Sequence, residues 1–219
     1  TEEDKIVSDR ITFNSMMNAA SKRKNLRGVE HWFEMMQTAN VAPGASTLSL
    51  LITALAKHGK VAAAQACVEK YKFDFDLSTY NAVLEGFSLV GDTAKQKIWY
   101  ARMGEQNTRA SMKTFFYLIR GAYFKQDSNL CKYWLDTMER EKILPDLFCF
   151  NTALKTCVTR KDKSSAVHIF NMMHRLKVTP ALSSYQLLLE LAEALPDPAY
   201  GEKVLTTMAK NGFEAEVES

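Results

Sequence analysis

The sequence predicts an all-α protein, a solenoid of stacked antiparallel helix pairs. Three observations predict it. Two ladders of identical residues share a period of 35 residues, each period holds two segments with apolar residues at helical spacing, and helix-breaking residues stand between these segments at fixed places. One continuous array is expected, because no Pro-, Gly- or Ser-rich linker divides the 219 residues.

The period is set by a ladder of methionines and a ladder of aspartates. Within each ladder, four identical residues follow one another at intervals of 35. They are Met103, Met138, Met173 and Met208, and Asp92, Asp127, Asp162 and Asp197. Because two independent ladders share the interval, we divide the chain into units of that length.

Alignment on the two ladders gives six repeats and a partial one. The full repeats 1, 3, 4, 5 and 6 span 10–44, 77–111, 112–146, 147–181 and 182–216, the shortened repeat 2 spans 45–76, and 1–9 is a partial repeat. We expect the partial repeat to be the tail of a preceding unit, and we expect the chain to be part of a longer array. Below, the place of a residue is counted from the first residue of its repeat.

A small, mostly polar residue followed by a large apolar one opens the first helix of each repeat, which we call helix A. The third place holds Thr12, Thr47, Thr79, Thr114, Cys149 and Ser184, and the fourth holds Phe13, Leu48, Tyr80, Phe115, Phe150 and Tyr185. The apolar residues that follow, such as Met16, Met17 and Ala20, share one face of a helix. This face predicts packing against a second helix.

Helix A ends near the fifteenth place, where Gly59, Gly91 and Pro196 stand. The aspartate ladder follows directly. A carboxylate there accepts hydrogen bonds from the free N–H groups of the second helix, helix B, and Pro198 after Asp197 suits the first helical position. We therefore interpret the aspartates as N-caps rather than as catalytic acids.

Helix B carries a column of large residues at its twenty-third place. The column is Trp32, Cys67, Trp99, Trp134, Ile169 and Val204. A base-stacking platform is one interpretation, but apolar neighbours such as Phe33 and Phe170 favour a core position. Helix B should end before Asn40, Asn107 and Gly212 at the thirty-first place, which tolerate a left-handed backbone. Prolines stop its continuation at Pro43, Pro145 and Pro180.

Three short runs carry a resemblance to a known family: Ile11-Thr-Phe-Asn14, Ser78-Thr-Tyr-Asn81 and Phe148-Cys-Phe-Asn151. With the methionine ladder late in helix B and Pro145-Asp146 closing a unit, they resemble the pentatricopeptide repeat. The related tetratricopeptide repeat has a period of 34 and early Trp-x-x-Leu-Gly signals, which this chain lacks. The resemblance covers essentially the whole chain and implies a right-handed superhelical solenoid.

The resemblance implies that helices A line a concave groove, where each repeat faces one base of a single-stranded RNA and reads it with the fifth and last residues. These pairs are Asn14 with Gly44, Ser49 with Asp76, Asn81 with Ser111, Phe116 with Asp146, Asn151 with Ala181, and Gln186 with Glu216. Only the second and third follow the family code, which associates them with guanine and with cytosine over uracil. Phe116 departs most, because a ring stacks on a base but forms no edge hydrogen bond.

The second place of a repeat is where the family sandwiches bases with an aliphatic residue. Ile11 and Phe148 suit this base-sandwiching role, whereas the other four residues are polar: Ser46, Ser78, Lys113 and Ser183. Shape-guided or weakly specific RNA binding therefore stays an alternative to base readout.

Cations cluster at the ends of helices A, where the resemblance assigns phosphate contacts. We expect phosphate binding by Lys22, Lys57, Lys125 and Arg160. The alternative is that cations favour helix C-termini through the dipole, although this preference alone does not require clustering in four repeats. The net charge of +3 is too small to indicate a nucleic-acid binder by itself.

Nothing in the sequence predicts catalysis. It has no Walker loop, dinucleotide fingerprint, HExxH or Gly-x-Ser-x-Gly motif. We expect no cofactor, metal site or small-molecule substrate, and any catalytic domain would lie outside this chain. No apolar run approaches the ~18 residues of a membrane span. The spacing of the four cysteines favours reduced, buried thiols: Cys67, Cys131, Cys149 and Cys157.

Three functions fit these observations. The first is an RNA-binding module in organellar transcript processing, stability or translation, in a mitochondrion or plastid whose presequence is not in this chain. The second is a structural subunit of an organellar ribonucleoprotein such as a mitoribosome, where the groove packs on RNA or on protein subunits. The third is the RNA-binding arm of a larger enzyme such as a protein-only RNase P.

Overall fold

A computed structural model describes residues 2–71 and 75–213, with side chains described from residue 10 onward. Within these ranges the regular structure is entirely helical and comprises twelve helices. They are α1 (Glu2–Lys22), α2 (Leu26–Thr38), α3 (Ala45–Lys57), α4 (Val61–Tyr71), α5 (Leu77–Leu89), α6 (Thr93–Glu105), α7 (Met112–Phe124), α8 (Ser128–Arg140), α9 (Leu147–Arg160), α10 (Lys163–Arg175), α11 (Leu182–Glu193) and α12 (Pro198–Lys210). The all-α prediction is confirmed.

The first compact unit, Thr1–Ala110, contains α1 to α6. Its helices pack as three consecutive pairs, and the helices A, which are α1, α3 and α5, also pack on one another. Gly86 on α5 permits a close approach, because a Cβ there would lie 3.0 Å from the carbonyl oxygen of Ala56 on α3. Leu48 and Tyr80, both at fourth places, are fully buried in this unit.

The second compact unit, Ser111–Ser219, contains α7 to α12. It repeats the arrangement, with three pairs and with the helices A, α7, α9 and α11, packed in succession. The fourth-place residues Phe115, Phe150 and Tyr185 are fully buried. Within each unit, stacking on a neighbour therefore covers the apolar face that one helix pair cannot cover alone.

The aspartate ladder consists of N-caps, as predicted. Each aspartate side chain accepts a hydrogen bond from the backbone N–H three residues later, at the start of a helix B. The capped helices are α6 by Asp92, α8 by Asp127, α10 by Asp162 and α12 by Asp197. Asn25 caps α2 in the same way.

Residues with a left-handed backbone conformation lie in the turns between the helices. At the fifteenth place, a positive φ occurs at Lys24, Gly59, Gly91, Gln126 and Lys161, and at the thirty-first place it occurs at Asn40, Asn107, Lys142, Lys177 and Gly212. The predicted turns are confirmed at these places. Pro196, at the fifteenth place of repeat 6, cannot adopt a positive φ, because its ring fixes φ near −65°.

The column of large residues in helix B belongs mostly to the core. Trp99 and Trp134 are each 2% exposed and pack edge-on against Tyr80 and Phe115. The four cysteines are free thiols. Three of them are buried, but Cys67 is only half-buried, so the expectation of four buried thiols is wrong at this residue. No helix in the described ranges is both long and apolar enough to cross a bilayer.

Candidate nucleic-acid interface

The fifth-place residues all lie on helices A. Gln186 is exposed, whereas Asn81 is only 7% exposed. The remaining four are half-buried: Asn14, Ser49, Phe116 and Asn151. Because the fifth place falls on the second turn of helix A in repeats 2 to 6, its side chain is held by a helix rather than by a loop.

The last-place residues form the N-caps of the following helices A. They are Gly44, Asp76, Ser111, Asp146 and Ala181, whereas Glu216 lies outside the described residues. The carboxylate of Asp76 accepts hydrogen bonds from the backbone N–H of Thr79 at 2.8 Å and from its hydroxyl at 2.6 Å. Asp146 accepts from the N–H of Cys149 at 2.8 Å. These side chains therefore have a structural role besides any role in base recognition.

Two fifth-place asparagines are tied to the next helix A by their side-chain amides. The Oδ1 atom of Asn14 accepts from the hydroxyl of Thr47 at 2.7 Å, and its Nδ2 donates to the hydroxyl of Ser46 at 3.1 Å. Asn151 makes the same two bonds 137 residues later, at 2.7 and 3.0 Å, and the partners there are Ser184 and Ser183. The orientation of each amide is therefore fixed by two hydroxyls.

In the second unit, a cleft of about 550 Å³ runs across α7, α9 and α11. The structure brings four predicted residues together in its lining: Phe116, Phe148, Asn151 and Gln186. The rings of Phe116 and Phe148 are 5.3 Å apart between centroids and inclined by 58°. The cleft thus combines ring faces with amide groups, which are the groups that stack on bases and bond to their edges.

In the first unit, a cleft of about 430 Å³ lies between α3 and α5. Its lining brings Ser49 together with Asp76, the predicted pair of repeat 2, and also includes Ser46 and Ser78. Hydroxyl side chains are frequent in its lining, which holds no aromatic ring. It can offer hydrogen bonds but no stacking surface.

The two predicted base-sandwiching residues are both exposed. Ile11 on α1 and Phe148 on α9 each expose 61% of their surface. Large apolar side chains at such exposure are available for contact with a ligand. Only Phe148 lines one of the two clefts described above.

The four predicted phosphate-binding cations lie at the C-terminal ends of helices A and are exposed. Lys22, Lys57 and Arg160 stand in the last turns of α1, α3 and α9, and Lys125 is the C-cap of α7. Some cations on or beside helices B instead pair with carboxylates, as Lys60, just before α4, does with Glu30, Lys163 with Asp197, and Arg175 with Glu139. Over the described residues, the four cations at the helix A ends form no such ion pair.

Three residues of the larger cleft were missed from the sequence. The guanidinium of Arg120 lies 5.4 Å from the ring centroid of Phe116, and the ammonium of Lys155 lies 5.9 Å from that of Tyr123. Arg120 and Lys155 occupy the ninth place, four residues after the fifth. The i, i+4 spacing from the fifth place, which puts residues on one helix face, could have identified them.

Comparisons with family models cover more than half of the chain. A model described as pentatricopeptide repeat domain matches residues 97–160 and 133–193, and one described as PPR repeat matches residues 11–41. A pentatricopeptide repeat-containing protein of Arabidopsis thaliana is 21% identical over 170 residues. The alignment covers 76% of this chain but 22% of that relative, so the chain spans about a fifth of the relative's length.

Solved structures show the same fold. The pentatricopeptide repeat protein PPR10 from maize matches with a TM-score of 0.77 at 15% identity, over 92% of this chain and 30% of that one. The PPR domain of Arabidopsis thaliana protein-only RNase P 1, solved in complex with tRNA, matches with a TM-score of 0.65 at 18% identity, over 79% of this chain and 93% of that one. These similarities confirm the prediction of a helical-repeat solenoid.

Proposed function

The chain belongs to the pentatricopeptide repeat family, and from that premise we propose that it binds single-stranded RNA along its helices A, with one nucleotide facing each repeat. The observation that carries the proposal is the cleft across α7, α9 and α11. It places two phenylalanine rings, an oriented asparagine amide and the cations of Arg120 and Lys155 on one surface.

The chemistry of this cleft suits a nucleotide. Stacking of a base on an aromatic side chain contributes ~1–3 kcal/mol and tolerates any base. Phe116 and Phe148 supply ring faces, and Asn151 supplies an amide that can bond a base edge. Arg120 and Lys155 supply the positive charge that attracts a phosphate backbone. Stacking and charge alone would bind RNA with little sequence preference, and the amide adds selectivity.

The distribution of ion pairs supports phosphate contacts by the four cations named above. Some cations on helices B are instead neutralised by carboxylates of neighbouring helix pairs, as in the Lys163–Asp197 and Arg175–Glu139 pairs. Lys22, Lys57, Lys125 and Arg160 are exposed at the ends of helices A, so their charge is available to a polyanion.

We place this RNA binding in the processing, stability or translation of organellar transcripts, in a mitochondrion or plastid. The family membership supports this assignment, and the repeats act as a binding module whose catalytic partners, where needed, lie in other domains or subunits. The proposal covers the partner class, single-stranded RNA, and includes protein subunits of a ribonucleoprotein as further partners.

A second candidate is the RNA-binding arm of a larger RNA-processing enzyme. One observation favours it: the PPR domain of protein-only RNase P 1, solved in complex with tRNA, is matched over 93% of its length with a TM-score of 0.65. This candidate predicts preferential binding to folded tRNA, whereas the first predicts preference for unpaired strands.

Fluorescence anisotropy with four labelled probes tests the proposal: a randomised single-stranded RNA pool, the corresponding DNA pool, an RNA duplex and a tRNA. We expect the tightest binding to single-stranded RNA. The double variant Phe116→Ala, Phe148→Ala should weaken it about tenfold or more. The matched control is Tyr133→Ala, which removes an exposed ring of helix α8 and should leave affinity unchanged. Equal affinity of both variants for RNA would refute the proposed groove, and preference for tRNA would favour the second candidate.

A further inference from the structure

Two of the predicted reading pairs lack a polar side chain at the last place. The partner of Asn14 is Gly44, and the partner of Asn151 is Ala181. Neither residue carries a side-chain donor or acceptor, so the conventional pair would read a base with the asparagine alone.

In both cases, the serine at the second place of the following repeat bonds to the asparagine. The Nδ2 of Asn14 donates to Ser46 Oγ at 3.1 Å, and that of Asn151 donates to Ser183 Oγ at 3.0 Å. Both serines are exposed, and each lines one of the two clefts. Each of these two asparagines therefore has a serine hydroxyl as its partner, although the last-place residue of its repeat has no polar side chain.

Building on the proposed function, we infer that Ser46 and Ser183 are specificity-determining residues that complete the reading pairs of repeats 1 and 5. Each serine oxygen accepts a hydrogen from the asparagine amide, so its own hydrogen points away from that amide and is available to a ligand. The second Nδ2 hydrogen of the asparagine is also available. Each Asn–Ser pair therefore presents two neighbouring donors.

The third-place hydroxyls prevent the opposite arrangement. Thr47 accepts from the backbone N–H of Gly44 and donates to Oδ1 of Asn14 at 2.7 Å, so the amide oxygen is held by the protein and the amide nitrogen faces Ser46. The hydroxyl of Ser184 likewise donates to Oδ1 of Asn151, at 2.7 Å. An amide fixed in this orientation cannot rotate to present its oxygen in place of its nitrogen.

Two neighbouring donors select a base with two neighbouring acceptors. On its Watson–Crick edge, cytosine has O2 and N3, which both accept, whereas uracil has an N3–H donor between its two carbonyls. A uracil would therefore set a donor against a donor and leave one hydrogen bond unmade. The Asn–Ser pairs of repeats 1 and 5 should favour cytosine over uracil.

The chain contains a matched control for this role. Ser78 also stands at a second place, is exposed and lines the same cleft as Ser46. The fifth-place residue of its preceding repeat is Ser49, which has no amide to hold. Ser78→Ala therefore removes the same hydroxyl from the same surface without disturbing an Asn–Ser pair.

The test has two readouts, one of which does not require RNA. In ¹⁵N NMR spectra of the free protein, Ser46→Ala should shift the side-chain NH₂ signals of Asn14, Ser183→Ala should shift those of Asn151, and Ser78→Ala should shift neither. If the NH₂ signals of Asn14 and Asn151 do not shift in Ser46→Ala and Ser183→Ala, the serine–amide hydrogen bonds are refuted.

The second readout is selection from a randomised single-stranded RNA pool, followed by sequencing of the bound fraction. Ser46→Ala and Ser183→Ala should each lower the cytosine-to-uracil ratio about fivefold at one nucleotide, the low end of one base-edge contact at ~1 kcal/mol. Ser78→Ala should leave both ratios unchanged. Unaltered ratios in a protein that still binds RNA would overturn the inference alone, whereas absence of RNA binding by the unaltered chain would refute the proposed function.

Discussion

The hydroxyl of Thr47 donates a 2.7 Å hydrogen bond to the side-chain oxygen of Asn14, which lies on the preceding helix A. It also accepts from the backbone N–H of Gly44 at 3.3 Å, so one side chain caps α3 and ties it to α1. Ser184 makes the same bond to Asn151 at 2.7 Å. The helix A pairs α1–α3 and α9–α11 are therefore each linked through a third-place hydroxyl and a fifth-place asparagine.

The substitution Thr47→Val should lower the free energy of unfolding by about 1–3 kcal/mol. Valine keeps the shape of threonine but leaves the Asn14 oxygen and the Gly44 N–H without this partner. Thr206→Val is the control, because the hydroxyl of Thr206 is exposed and donates to the carbonyl of Glu202 in its own helix. The control should change stability by no more than ~0.5 kcal/mol. If chemical denaturation shows the same small loss of unfolding free energy for Thr47→Val and Thr206→Val, the proposed link is contradicted.

Removing the four cations at the helix A ends should weaken RNA binding without changing base preference. The quadruple variant of Lys22, Lys57, Lys125 and Arg160 to Ala should also flatten the salt dependence. The slope of the logarithm of the binding constant against the logarithm of the salt concentration should change by up to ~0.7 for each phosphate that is no longer neutralised. A matched quadruple variant removes the same charge from other exposed positions: Lys97, Lys142, Lys177 and Lys210. If both variants lose affinity equally, the cations act only through net charge.

Lys142 has a left-handed backbone with φ at 59°. This conformation costs an L-residue ~1–2 kcal/mol, whereas glycine adopts it readily. Lys142→Gly should therefore stabilise the protein, by up to about 1 kcal/mol after the greater freedom of glycine in the unfolded chain is counted. Lys97→Gly, in the exposed interior of α6, should instead destabilise by about 1 kcal/mol. In thermal and chemical unfolding, the two variants should change the free energy of unfolding in opposite directions. Destabilisation by both variants would contradict the prediction.

Asp162 should make stability depend on pH in the acid range. Its carboxylate accepts from Ser128 Oγ at 2.6 Å and from the backbone N–H of Ser165 at 3.0 Å. Burial raises the pKa of Asp162, but these hydrogen bonds outweigh burial and hold the pKa below its ordinary value. A depressed pKa in the folded state contributes stability above the unfolded pKa, and this contribution is lost as pH falls through the folded pKa.

The free energy of unfolding should therefore be higher for the unaltered chain than for Asp162→Asn at neutral pH, and the difference should shrink below about pH 4. Ser128→Ala should reduce the pH dependence, because it removes one of the hydrogen bonds that lower the pKa of Asp162. Denaturant titrations at a series of pH values measure both effects. A difference between Asp162→Asn and the unaltered chain that is constant with pH would contradict this role.

The repeat pattern was sufficient to predict the helices, their N-caps and their turns. Asp127 could be recognised as an N-cap because its place recurs every 35 residues, and Asn107 as a turn residue because it tolerates a positive φ. Lys142 and Lys177 adopt the same conformation without being residues that favour it, so only their places in the repeat could predict it.

The side-chain network of the groove was not predictable in the same way. The second-place serines looked like departures from a base-sandwiching pattern, and their bonds to Asn14 and Asn151 depend on how closely consecutive helices A pack. The packing of Phe116 on Phe148, 32 residues apart, has the same origin. Distances between neighbouring helices follow from packing, and a period along the chain does not specify them.

The central claim, that RNA lies along the helices A, is tested most directly by photo-crosslinking. A single-stranded RNA pool containing 4-thiouridine is irradiated with the protein, and mass spectrometry identifies the peptides that carry nucleotide adducts. We predict adducts on helices A, above all at Phe116, Tyr123 and Phe148 in the cleft across α7, α9 and α11. Adducts confined to the exposed faces of helices B, such as at Tyr133 on α8, would contradict the account.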